Sequence, residues 1–460
     1  MHDKTRTIWT HRIDTVVLNR FFGIPLFFSC MYVVFSAAIQ ISDVFKGYLE
    51  LATDTFFIVQ VNAGLIYLQA PDWVIRLIAF GVGQGLKTTI SFIPVIAVML
   101  FAISFLEASG YMARAAFVME RVMRWVGLPG KSFVPMIIGF GCNVPAVMAA
   151  RSLENYRERV LTILMSPFMS CGARLTIYAL FVSAFFPENG QNIIFGLYLI
   201  GIAVALITGF ALRSSVLKDE GSSLVIELPP YRYPRIGLLC VATGRRLKHF
   251  VLKAGSLIVP LCAVIALLGV VDNKVGANNF LATAGRALTP IFAPMGIKDD
   301  NWPATVGLMT GVLAKEVVVG TLNTLYAEEA HSESLARNEE DGVGAVGVMV
   351  NRFGSSAAAF AYLLFVLLYF PCVSVVATVA RELNRSWALF SVVWTTGIAY
   401  ITAVLFYQCA TFLENPRVAT AWITGMCGVL VVTFYGVRKR MRYKMNRIPK
   451  PFPTHIMISE

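Results

Sequence analysis

Residues 132–150 form an apolar run nearly long enough to span a membrane, yet both of its flanks are basic. Arg121, Arg124 and Lys131 precede it, and Arg151, Arg157 and Arg159 follow it. Positive charge marks the cytoplasmic side of a membrane segment, so the two ends lie on one side. Gly139, Gly141 and Pro145 also interrupt regular helix inside the run. The pattern predicts a re-entrant pair of half-helices with Cys142 and Asn143 at its tip. Broken backbone survives at membrane depth only when it is buried in protein or lines a cavity.

The rest of the chain fits that setting. Of 460 residues, 57% are hydrophobic and only 14% charged, which excludes a soluble domain and predicts an all-α polytopic membrane protein. The formal net charge of +12 comes from basic residues beside apolar runs, which is the positive-inside pattern and not a nucleic-acid footprint. The start, Met-His-Asp-Lys-Thr-Arg, lacks the apolar core of a signal peptide. Eight cysteines lie mostly in apolar segments without CxxC spacing, and five histidines lie outside the expected spans. No HExxH or GxSxG pattern occurs, so no enzyme is expected.

Charge and hydropathy divide the chain as follows. Residues 1–89 hold a basic start, a first span at 21–41 and an outer region (42–89) with amphipathic pieces. Residues 90–213 form a first repeat: a span at 90–110, an interfacial helix at 111–126, the re-entrant run, and crossings at 160–183 and 192–212. A cytoplasmic loop is expected at 214–253. Residues 254–408 form a second repeat with a polar loop at 327–355, and 409–460 hold a last span and a basic tail. About eight crossings plus two re-entrant hairpins put both termini in the cytoplasm.

The repeat is visible in the residues. FIPVIAV (92–98) resembles IVPLCAV (258–264), and Pro135/Gly139 returns as Pro303/Gly307 at an offset of 168 residues. PATVGLMTGVLAKEVVVGTL (303–322) is the second re-entrant run, with Lys315 and Glu316 inside it. Ser166-Pro167 in the first half answers Phe370-Pro371 in the second. One copy begins outside and the other inside, so the repeats are inverted, as in secondary transporters with broken helices at a midplane site.

Several motifs resemble the FeoB ferrous-iron transporters of bacteria: GFGCNVPAVMAAR (139–151), SPFMSCGAR (166–174), LEASGYMAR (106–114), GVLAKEVVVGTL (311–322) and Tyr369-Phe-Pro-Cys372. The resemblance covers nearly the whole chain. It implies a membrane portion with two gate repeats, in the bacterial inner membrane, whose substrate is Fe²⁺. It also implies GTP and Mg²⁺ acting through a cytosolic GTP-binding domain, in cis or in trans, because no such domain is visible here. The nearest phosphate-loop lookalike ends in Gly130-Lys131-Ser132 but has Trp125 where a glycine is required. Besides Fe²⁺, the expected partners are the lipid bilayer, that domain and further copies of the chain.

Moving Fe²⁺ through a bilayer means replacing its hydration shell. Unwound carbonyls supply oxygen ligands, and thiolates or thioethers favour transition metals over Mg²⁺ and Ca²⁺. Cys142, Cys171 and Cys372 each stand by a glycine or proline break and, by the resemblance, line the iron path. The competing reading of each is a small residue that lets helices pack closely. Asn143 and Ser170 neighbour two of these cysteines. Met165 and Met169 flank Pro167 as outer soft ligands or as packing. Glu107 ends a span, either as a pathway carboxylate or as a solvated one. Lys315 and Glu316 suit a gate or a clamp better than metal ligation, because a lysine opposes a cation. The main alternative is a gate-repeat permease for another solute such as a nucleoside; a scaffold is a further one.

Overall fold

The computed structural model describes residues 14–15, 17–19, 22–91, 93–216, 231, 233–270, 280–312, 315–337, 345–413 and 415–445. Helix dominates and no strand occurs among the described residues. That is what a lipid-embedded backbone requires, because a helix satisfies its own amides. Besides short helices between Thr53 and Ile93, the α-helices are α1 (Gly23–Thr53), α2 (Ile93–Ser109), α3 (Tyr111–Val126), α4 (Phe133–Gly141), α5 (Asn143–Ala149), α6 (Tyr156–Met165), α7 (Gly172–Phe185), α8 (Gly190–Val216) and α9 (Ile236–Val270). They continue with α10 (Phe280–Phe292), α11 (Trp302–Gly311), α12 (Lys315–Arg337), α13 (Ala345–Phe353), α14 (Ser356–Leu368), α15 (Val373–Glu382), α16 (Arg385–Ala410) and α17 (Pro416–Met445).

Seven helices among the described residues are long and apolar enough to cross a membrane. The protein is a multi-pass membrane protein. Neither 132–150 nor 303–322 is among the seven; each is split into two helices, α4/α5 and α11/α12.

The structure differs from the sequence map in three places. The expected first span (21–41) is the start of the longer α1, and the apolar segment continues through Gln40–Tyr67, inside the region read as outer pieces. Charges at Asp43, Lys46, Glu50 and Asp54 diluted its hydropathy. The expected loop 214–253 is helical from Ile236, because α9 carries its basic cluster straight into the apolar run. The expected loop 327–355 is helical over its described residues 327–337 (in α12) and at α13 (Ala345–Phe353). Its Ala-, Glu- and Leu-rich sequence favours helix despite its polarity.

Local chemistry sets the helix ends. Asn155, Ser355 and Asn384 cap α6, α14 and α16 by accepting from Arg157 N (2.9 Å), Ala358 N (3.2 Å) and Trp387 N (2.9 Å). Gly127 (φ +86°) and Gly296 (φ +93°) both turn left-handed just before the two broken runs. A Cβ there would strike Arg213 and Tyr407 respectively, so only glycine fits.

Packing follows the inferred repeat. α5 packs on α15 and α7 on α12, so the helix after each re-entrant break touches the helix after the other half's proline break. The shared core holds Met165, Phe168, Tyr178, Phe181, Tyr362 and Leu367, with the Phe181 and Tyr362 rings stacked at 4.9 Å. Arg151, after α5, pairs with Glu382 at the end of α15 (Nε to Oε2, 2.6 Å).

Candidate functional site

Four breaks interrupt the helices of the two halves. Cys142 is extended between α4 and α5 (φ −155°, ψ +128°). Met169, Ser170 and Cys171 join a 3₁₀ turn at Ser166–Phe168 to α7. Tyr369 to Cys372 join α14 to α15. Residues 313 and 314, between α11 and α12, lie outside the described residues, and Lys315 is the first described residue of α12. Each predicted cysteine is the residue immediately before a helix: Cys142 before α5, Cys171 before α7 and Cys372 before α15.

The breaks converge. Val373 N donates to Val312 O across two of them (3.3 Å). Cys142 and Cys372 pack against one small apolar cluster that includes Val144, Ile163 and Val375. Cys171, Cys372, Lys315 and Arg174 are close enough to interact electrostatically. The structure thus brings the thiols together as overlapping pairs. Among the described residues, no three His, Cys, Asp or Glu side chains stand close enough together to hold a metal ion.

Other side chains hold these breaks in shape. The Asn143 amide, turned to satisfy both of its ends, donates to Ser166 O (2.9 Å) and Gly139 O (3.3 Å), stapling the first break to the second. Arg174 is fully buried, and its Nη1 donates to Pro167 O and Met169 O, both at 3.0 Å. Ser170 Oγ and Tyr178 OH share a hydrogen bond of 2.9 Å. Met165 and Met169 are buried in the main core, which favours the packing reading of their side chains.

Lys315 is 4% exposed, and its Nζ finds no hydrogen-bond partner. The ammonium stands over the Tyr369 ring, 3.4 Å from its centroid. Glu316 follows in α12, and its side chain lies outside the described residues. Glu107 is exposed, 3.8 Å from Arg246, on the wall of a cavity of about 780 Å³ that Lys131, Arg151 and Glu154 also line. None of the three cysteines lines that cavity.

Sequence reasoning missed Arg174, Tyr178 and Tyr369 as site residues. Arg174 carried a signal, being a charge inside an otherwise apolar crossing. The tyrosines carried none: Tyr369 bonds to Leu308, far away in the chain, and Tyr178 reaches Ser170 only because the backbone breaks between them.

The gate family model, described as nucleoside recognition, matches residues 89–185 and 251–386, together just over half of the chain. The model for the ferrous iron transport protein B C terminus matches residues 194–246. A Legionella pneumophila (strain Lens) protein named Fe(2+) transporter FeoB is 46% identical over 97% of this chain and 65% of its own length. Proteins of the same name from Shigella flexneri and Escherichia coli K12 are each 42% identical, over 95% of this chain and 62% of theirs. The chain therefore spans just under two thirds of the length of the curated relatives it matches. No solved structure matches it. With the gate model aligned on both of its broken-helix halves, the chain belongs to the gate family, and its similarity to the FeoB transporters runs over nearly its whole length.

Proposed function

We propose that this chain forms the Fe²⁺ pathway of a ferrous-iron uptake permease in a bacterial inner membrane, with both termini in the cytoplasm. It works with a cytosolic GTP-binding domain, in cis or in trans, that binds GTP and Mg²⁺. One observation carries the reading: three cysteines each stand at a backbone break before a helix, Cys142 and Cys372 against one apolar cluster and Cys171 within electrostatic reach of Cys372. Soft sulfur ligands select a transition metal over Mg²⁺ and Ca²⁺. The last carbonyls of half-helices α4 and α11 supply negative dipole ends to the same region.

The metal path runs along Cys142, Cys171 and Cys372, with Asn143, Ser170 and the Met169 carbonyl holding its walls. Residues 90–213 and 254–408 act as inverted gate repeats around it. A nucleoside carrier would need convergent amides and carboxylates. Here the buried centre holds thiols, tyrosines and two cations. The test is radioactive iron uptake into proteoliposomes under reducing conditions, with and without an added GTP-binding domain protein. Saturable Fe²⁺ uptake that excess Mg²⁺ and uridine leave unchanged is expected. Uridine uptake without Fe²⁺ uptake overturns the proposal.

A further inference from the structure

Three half-helix starts at the breaks present a thiol, and Lys315 is the first described residue of α12. A lysine is a poor choice there. Burial removes water, and Arg174 is a second buried cation nearby. Among the described residues no carboxylate pairs with the Lys315 ammonium, and Nζ has no acceptor. Its surroundings nevertheless suit a cation. The face of the Tyr369 ring lies 3.4 Å from Nζ, and an aromatic face attracts positive charge. Cys171 and Cys372 lie within electrostatic reach.

That seat is closely built. Gly311 leaves no room for a Cβ against the Tyr369 hydroxyl, which donates to Leu308 O (3.4 Å). The ring is thereby held against the end of α11, facing Lys315. An aromatic face with two neighbouring thiols is a seat for a soft cation, and the side chain now in it is a cation on a tether.

We propose that Lys315 is a built-in stand-in for the transported ion. Its ammonium occupies the seat beside Tyr369, Cys171 and Cys372 when cargo is absent, and a soft divalent cation binds there only by displacing it. The two charges exclude one another at this range. The tether keeps the empty path plugged against other ions and helps to expel cargo on its return. This inference rests on the proposed Fe²⁺ path and adds a competitor inside it.

The test is anaerobic Fe²⁺ titration of the purified full chain in lipid nanodiscs, paired with vesicle uptake. Lys315→Met and Lys315→Gln are expected to bind Fe²⁺ at least about tenfold tighter, as removal of one competing buried charge requires. Their uptake is expected to saturate at lower Fe²⁺ with a slower maximal rate, because release loses its displacer. Tyr369→Leu is expected to weaken binding. Unchanged or weaker affinity in both lysine variants, with uptake still lost in Cys372→Ser, overturns the stand-in and leaves the path intact. A lowered melting temperature at unchanged affinity makes Lys315 a structural clamp and overturns it as well. If Cys372→Ser and both lysine variants all bind and transport like the parent, the ion does not pass here and both proposals fall.

Discussion

Arg174 and the cysteines divide the labour at the breaks. Arg174 Nη1 satisfies the carbonyls of Pro167 and Met169, which the unwound backbone would otherwise leave unpaired. Arg174→Met is expected to lower stability by about 1–3 kcal/mol for each carbonyl left unsatisfied, read as a reduced melting temperature in detergent. The thiols have a different role. Serine nearly matches cysteine in size but replaces soft sulfur with a hard hydroxyl. Cys142→Ser and Cys171→Ser should therefore lose most Fe²⁺ uptake at unchanged melting temperature, and Cys372→Ser should lose it as well. Cys427→Ser, exposed on α17, should transport like the parent. Normal uptake by the first two variants would show that oxygen ligands suffice. The positions of the thiols were legible because glycine and proline breaks can be seen in a linear string. Arg174's role was not, since its acceptors exist only once residues 167–169 leave the helix.

At the scale of elements, Arg114 is the hub of the N-terminal half. It is fully buried in α3, forms a two-pronged ion pair with Asp14, donates to Gly110 O at 3.0 Å and lies over the Tyr231 ring. Burial pushes the Tyr231 phenol above its ordinary range, with Arg114 opposing and Asp14 adding to the shift. Three separate segments meet on this one guanidinium, which gives the LEASGYMAR motif a structural role. Arg114→Met strands the Asp14 carboxylate, and removing one partner of a buried pair costs about 3–5 kcal/mol. Thermal unfolding should show that loss, and a melting temperature within a degree of the parent would deny the hub. The broken runs were readable as elements because their charged flanks and glycines conflict with a simple span. The helical stretches at 236–253 and 327–337 were not, because polarity was taken for a loop where helix propensity decided.

For the whole molecule, the proposed inverted arrangement predicts sidedness. Cysteines placed at Lys131 and Ser152 should both label from the cytoplasm, and those at Asp299 and Ala327 only from outside. A member of either pair labelling from the opposite face would make that run a true crossing. The chain should also show no saturable GTP binding through residues 125–132. There the Gly130 amide already donates to the Glu120 carboxylate (2.5 Å), an anion sitting where a phosphate would need the donor. One feature of the assembly has a kinetic consequence. The backbone bond from Val373 N to Val312 O, at 3.3 Å, joins two breaks that must part if cargo is to pass between them. The Val373 amide is therefore a natural clock for transport. Its deuterium uptake should quicken whenever the path is cycling and slow when the path is locked, so that turnover could be timed at one peptide group without following the iron at all.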